Sequence, residues 1–135
     1  MMAAVGGNNI AWYTCTGAVG EAIPNEATHV IVGEFVTDIL SEAFYGHPNI
    51  VEVICHDRVG IIQREAFCGC PSLRRVIMRG VKVVEYAAFA ECTALTDVEC
   101  GKLEIIDNLA FFCCTSLRSI NLPSARIVKK EAFFD

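Results

Sequence analysis

Eight cysteines and three histidines are the residues of this chain whose types could do chemistry. They could build a disulfide framework, hold zinc, or pair a thiol with an imidazole for nucleophilic catalysis. Their spacing argues against the last two. Cys68-Gly69-Cys70 and Cys113-Cys114 lack the paired C-x2-C spacing of a zinc site. His29, His47 and His56 fall on three separate repeat units and offer no obvious set of convergent nucleophile, base and orienting carboxylate. We therefore expect no catalytic residue, no metal site and no cofactor.

The cysteines are keyed instead to a repeat. An Ala-Phe pair recurs at Ala43-Phe44, Ala66-Phe67, Ala88-Phe89, Ala110-Phe111 and Ala132-Phe133. The spacing is almost even, with the first interval one position longer than the others. Cys70, Cys92 and Cys114 each stand three positions after a repeat Phe, and His47 takes that place after Phe44. Cys55 and Cys100 fill a position that Met78 and Leu122 fill elsewhere. A site that accepts Cys, Met and Leu asks for a compact apolar side chain, and a free thiol behaves as one. Cysteines stacked in register also point the same way, which is poor geometry for a disulfide. Free thiols and an intracellular, reducing compartment are expected, with the cell surface as the alternative.

The elements that carry these residues follow from the same period. Ile50/Val53/Cys55, Leu73/Val76/Met78, Leu95/Val98/Cys100 and Leu117/Ile120/Leu122 fit the pattern L-x-x-L-x-L, which places a strand at the end of each motif. Val59/Ile62, Val81/Val84, Leu103/Ile106 and Val128 are expected to turn inward on the return path. The β-branched run Thr28-His29-Val30-Ile31-Val32 predicts one more strand, which opens a degenerate first rung completed by Val36 and Ile39. A single unit of this length cannot cover its own apolar face, so neighbouring units must cover it. Each repeat Phe should then pack on the Phe of the next rung.

Outward strand positions form columns on such a stack. One reads Glu52, Arg75, Asp97, Ser119; the next reads Ile54, Ile77, Glu99, Asn121; a third reads His56, Arg79, Gly101, Pro123. With strands about 4.8 Å apart, Glu52–Arg75–Asp97 becomes an alternating charge ladder beside an apolar patch of Ile54 and Ile77. The functional reading is a docking surface for another protein, formed by Glu52, Ile54, Arg75, Ile77, Arg79, Asp97, Glu99, Ser119 and Asn121. The bland reading is a solvated sheet face whose exposed ion pairs contribute about 0–1 kcal/mol each.

Composition bounds the rest. The chain has 135 residues, of which 53% are apolar and 20% charged, enough for a real core and unlike a disordered chain. The net charge of −5 disfavours nucleic acid, whose affinity rests on phosphate attraction. No apolar run approaches the ~20 residues needed to cross a bilayer, so no membrane insertion is expected. Residues 1–9 read as a loose leader of small and turn-forming types, and Trp12 and Tyr13 as part of an edge strand that shields the first rung. The expected organisation is a leader and capping segment over 1–26 and repeats over 27–135, about five rungs with the last one incomplete. Phe133 and Phe134 then lie on an open rung, which predicts a fragment of a longer array, or an assembly edge covered by a partner or a second copy.

The repeat resembles the BspA-type leucine-rich repeat, A-F-x-x-C-x-x-L-x-x-I/V-x-L/I-P followed by V-x-x-I. Gly69-Cys70-Pro71-Ser72-Leu73, Cys92-Thr93-Ala94-Leu95, Cys114-Thr115-Ser116-Leu117 and Leu122-Pro123 carry the resemblance. The opening, with Trp12-Tyr13-Thr14, Ile23-Pro24 and Thr28-His29-Val30, is similar to the start of multi-repeat members from algae and protists. His47 and Pro48 depart from the pattern. The resemblance implies a mainly β, right-handed leucine-rich-repeat solenoid of ~22–23-residue rungs, with short helical turns and a parallel concave sheet. It brings no catalytic residues, and some bacterial and parasite members are surface adhesins. The expected function is a non-catalytic protein-interaction scaffold. The alternatives are an assembly subunit that uses the open last rung, within a larger complex or by self-association, and an adhesin.

Overall fold

The computed structural model describes residues 2–5, by their backbone, and residues 9–135. Eleven short strands run in chain order: β1 (Met2–Val5), β2 (Ile10–Cys15), β3 (His29–Val32), β4 (Asp38–Ile39), β5 (Glu52–Ile54), β6 (Ile61–Ile62), β7 (Arg75–Ile77), β8 (Val83–Val84), β9 (Asp97–Glu99), β10 (Ile105–Ile106) and β11 (Ile127–Val128). They form two sheets. The first has the order β1-β2-β3-β5-β7-β9, and the second the order β11-β10-β8-β6-β4. Every pairing is parallel except the antiparallel β1–β2 pair. The chain is a mainly β solenoid whose regular coils give one strand to each sheet.

Register follows the sequence period. Val30, Val53, Val76 and Val98 are consecutive partners in the first sheet. Ile39, Ile62, Val84, Ile106 and Val128 are consecutive partners in the second. The middle residue of β5, β7 and β9 points inward, because side chains alternate across a strand. Between the sheets lies the expected column of rings. Phe44–Phe67, Phe67–Phe89, Phe89–Phe111 and Phe111–Phe133 have centroids 4.9, 5.1, 5.3 and 5.1 Å apart and planes within 5° of parallel. The backbone beside the rings explains the Ala-Phe pair. The N–H groups of Phe44, Phe67, Phe89 and Phe111 donate to the carbonyls of Ala66, Ala88, Ala110 and Ala132, at 2.7–2.8 Å. Those four alanines are buried, so a larger side chain would hold the rungs apart.

In place of short helical turns the coils carry tight bends, and no helix forms among the described residues. Two left-handed positions per coil account for this. One precedes each of the first four Ala-Phe pairs, at Glu42, Glu65, Ala87 and Leu109; the other lies two positions after Phe, at Gly46, Gly69, Glu91 and Cys113. A right-handed helix cannot pass through either.

The cysteine ladder does more than fill space. The thiols of Cys70, Cys92 and Cys114 donate to the carbonyls of Phe44, Phe67 and Phe89 at 3.0–3.1 Å. Each of those carbonyls already accepts a turn N–H, so the thiol uses its second lone pair. His47, buried in the equivalent place, donates from Nε2 to the Pro24 carbonyl at 2.8 Å, while its Nδ1 accepts from Asn49 N and Ile50 N. Pro24 O can only accept, which fixes the tautomer. All eight cysteines are free.

The ends differ from expectation. Small and turn-forming types predict a loose leader, yet Met2–Val5 pairs with β2, since backbone pairing needs no apolar side chains. Residues 1 and 6–8 of that leader lie outside the described residues. At the other end the Leu117/Ile120/Leu122 segment forms no strand, and these side chains are only partly buried. Val128 matches the inward pattern but is 47% exposed, because β11 has a neighbouring strand on one side only.

Two outcomes follow. Phe89→Ala removes the middle ring of the column and should cost about 3–5 kcal/mol by urea unfolding; an unchanged midpoint would take Phe89 out of the core. Gly80 lies so near the preceding coil that an added Cβ would sit 2.0 Å from the Asp57 carbonyl oxygen. Gly80→Ala should therefore cost about 1–3 kcal/mol, whereas Gly60→Ala, with nothing within 4 Å, stays near neutral.

Candidate interaction surface

The first sheet presents its outward residues as continuous columns. Strand register aligns Trp12, His29, Glu52, Arg75 and Asp97 in one, and Thr14, Ile31, Ile54, Ile77 and Glu99 in the next. The expected charge ladder is present and more concentrated than its spacing suggested. Arg75 pairs with Glu52 at 3.3 Å, Asp97 at 3.0 Å and Glu99 at 3.2 Å, so one guanidinium serves three carboxylates. Glu99 is shared in turn. Its Oε2, shielded from water, has Arg79 Nη2 at 2.6 Å. Arg75 and Arg79 remain 41% and 63% exposed, so solvent screens these pairs and each contributes little to stability. What they do is hold the charged half of the face in one arrangement.

The apolar half is longer than the sequence columns indicated. Ile31, at 43% exposure, lies directly beside Ile54, and Ile54 beside Ile77. Trp12 and His29 continue the neighbouring column, with ring centroids 4.9 Å apart. Ile31, His29 and Trp12 escaped the sequence columns, which began at the first regular repeat. The step from position 31 to position 54 equals the step from Phe44 to Phe67, and that match could have found Ile31. Ser119 and Asn121 are exposed but lie on the strandless segment after β9, off the ladder. His56, at the start of the third column, reaches back one rung, and its Nε2 donates to the Gly33 carbonyl at 2.8 Å. Phe133 and Phe134, the expected assembly edge, are 39% and 56% exposed and stack on Phe111 and Phe112.

At the other end, sequence reading missed a polar hub. The Glu21 carboxylate accepts hydrogen bonds from the Tyr13 hydroxyl, the Cys15 thiol and the backbone N–H groups of Thr16 and Gly17. Burial works against this carboxylate, but those donors outweigh it and hold its pKa below the usual range. Tyr13 is pushed up to about 12, by burial first and by Glu21 second. The hub ties β2 to the loop that follows it. Among the described residues, no three His, Cys, Asp or Glu side chains are gathered to hold a metal, and no helix is long and apolar enough to cross a membrane.

Burial pushes the thiols of Cys15, Cys55 and Cys114 up to about 12 and that of Cys100 up to about 11. An unfolded thiol titrates near 8.5. A group whose folded value is raised contributes stability that is complete below its unfolded value and lost as pH climbs towards the folded one. The urea midpoint should therefore fall steadily from about pH 9 upward. Cys100→Leu, which borrows the residue found one rung on at Leu122, should flatten part of that slope. A midpoint level to about pH 11 would place these thiols in water.

Comparison with known proteins gives the following. The family described as "BspA type Leucine rich repeat region" matches residues 25–135, in six copies. No curated protein matches the chain. Among solved structures, the T. pallidum leucine rich repeat protein is 24% identical, with a TM-score of 0.76 over 100% of this chain and 64% of that one. The chain thus spans less than two thirds of that protein's length, and the likeness is one of fold. A leucine-rich repeat protein from Eubacterium ventriosum is 22% identical, with a TM-score of 0.49 over 83% of this chain and 35% of that one. A leucine rich cell surface protein from Faecalibacterium prausnitzii is 20% identical, with a TM-score of 0.41 over 91% of this chain and 52% of that one.

Proposed function

The chain belongs to the BspA-type leucine-rich repeat family, and on that premise we propose that it is a non-catalytic protein-interaction module that engages another protein through its first sheet. The observation that carries this reading is the Ile31–Ile54–Ile77 stripe. Three β-branched side chains stand side by side and partly in water, bordered along one side by the column of Trp12, His29, Glu52 and Arg75. An apolar strip with a polar rim is the usual make-up of a protein interface. The ion pairs add to it by being preformed. Arg75 and Arg79 are already ordered by their carboxylates, so a partner has less side-chain freedom to freeze on binding.

A second reading is assembly through the last coil. It draws on the exposure of Ile127, Val128, Phe133 and Phe134, which share one end of the stack. It needs no surface on the first sheet, and a change confined to that sheet separates the two.

Ile54→Asp with Ile77→Asp places charge on the stripe without touching the inward column. The double variant should fold, with unchanged circular dichroism, and should lose at least about tenfold in affinity, ~1.4 kcal/mol, for the partner recovered with the wild-type chain from its native source. Full retention of that partner would exclude the first sheet as the interface.

A further inference from the structure

The two sheets are not closed alike at the N-terminal end. In the first sheet β2 and β1 cover β3. In the second sheet β4 is the edge strand, with no strand beyond it among the described residues. The cause is length. Trp12 pairs with His29 and His29 with Glu52, so the first coil is several positions shorter than the one after it. The short connection turns back without crossing the second sheet, so this level of the stack is filled on one half only.

The missing half is visible as a groove. Two adjoining cavities of about 420 and 330 Å³ run between the loop over residues 16–23 and the edge over residues 35–44. Both reach Val36, Asp38 and Leu40. Phe35, 83% exposed, stands at one end of the groove, and Val19, 91% exposed, on the loop opposite.

The later rungs show which backbone groups this edge leaves unused. Gly60, Lys82, Glu104 and Arg126 donate in turn to Thr37, Gly60, Lys82 and Glu104. Gln63, Glu85, Asp107 and Lys129 donate in turn to Ile39, Ile62, Val84 and Ile106. One rung earlier, the equivalent N–H groups are those of Thr37 and Leu40, and neither has a partner among the described residues. The carbonyls of Arg64, Ala66 and Cys68 accept from the preceding coil, whereas their equivalents at Ser41, Ala43 and Tyr45 accept nothing among the described residues.

We propose that this groove is a strand-addition site that takes one extended, basic and apolar segment of a partner protein, laid parallel to β4. Main-chain bonds to an exposed sheet edge supply the affinity in such recognition, and side-chain pockets supply the selectivity. Ile39 and Phe44 are already buried, so the segment is held by its main chain along residues 37–45 and meets Val19, Leu40 and Ala43, which line the groove. Asp38 and Glu42 line the groove and form no ion pair among the described residues, which favours Lys or Arg in the segment. A second copy of the chain does not fit. β2 already fills the first-sheet half of that level, which leaves room for one segment and not for a coil docked whole. The site is separate from the first-sheet face and stands or falls independently of it.

The probe is a fluorescein-labelled peptide with the sequence of residues 125–134, which already takes this shape one rung after β10 and carries Arg126, Lys129 and Lys130. Fluorescence anisotropy with the whole chain should show saturable binding, and amide shifts should map to residues 35–45. Asp38→Lys with Glu42→Lys should weaken binding by at least about tenfold, ~1.4 kcal/mol. A peptide N-methylated at its Glu131 and Phe133 nitrogens should not bind, and this control leaves the protein unaltered. The Ile54→Asp, Ile77→Asp variant should bind the peptide as the wild type does. Absence of saturable binding, equal binding by the N-methylated peptide, or shifts confined to β5, β7 and β9 would each overturn the proposal. So would an oligomer of the chain in sedimentation that the peptide disperses, because the occupant would then be a second copy.

Discussion

Each coil lies on the next by simple translation, and the rest of the structure depends on that constraint. Backbone N–H groups of one coil donate to carbonyls of its neighbour in both sheets and in the bends between them. This holds equivalent atoms about 5 Å apart along the stack. Whatever residue type occupies a position must therefore pack against the same position one rung away. A flat ring can do so, and Phe44 to Phe133 form a column with nearly parallel planes. A small residue can do so where main chains are closest, as at the four buried alanines and at Gly80. A charge can do so only on the outer face, beside its opposite.

The same constraint explains the polar groups that the core tolerates. A thiol is small enough to stack and still carries a donor. Cys70, Cys92 and Cys114 place that donor on a Phe carbonyl that a turn N–H has already half satisfied. His47 performs the equivalent service at the first regular rung, reaching the Pro24 carbonyl where no Ala-Phe coil precedes it. These side chains are core residues in their burial and cross-braces in their bonding, and a buried polar group is tolerated when it is bonded in this way.

On the outside, translation turns single residues into stripes. Ile31, Ile54 and Ile77 are separate apolar residues in the chain and one surface in the fold. Arg75 is one cation in the chain and the centre of an ion-pair cluster in the fold. Single pairs of this exposure contribute little to stability. Their effect is on order, since they fix the shape of a face that would otherwise carry mobile long side chains. At the N-terminal level, translation stops halfway. The hub at Glu21 fastens the loop that turns back, and the second sheet keeps an edge.

The sequence by itself determined the period, the strand positions of the regular rungs, the inward residues, the ring column and the likeness to a repeat family. All of these follow from local pattern repeated at one spacing, so five copies of Ala-Phe leave little room for another arrangement. It also placed Glu52, Arg75 and Asp97 side by side. The tertiary structure alone decided what happens where repetition fails. Met2–Val5 pairs as a strand although its residues carry no repeat signal, and Leu117–Leu122 carries the signal without becoming a strand. Val128 matches the inward pattern and is half exposed. Whether a segment is covered depends on its neighbours in space, and at the ends of a stack those neighbours are not copies of itself.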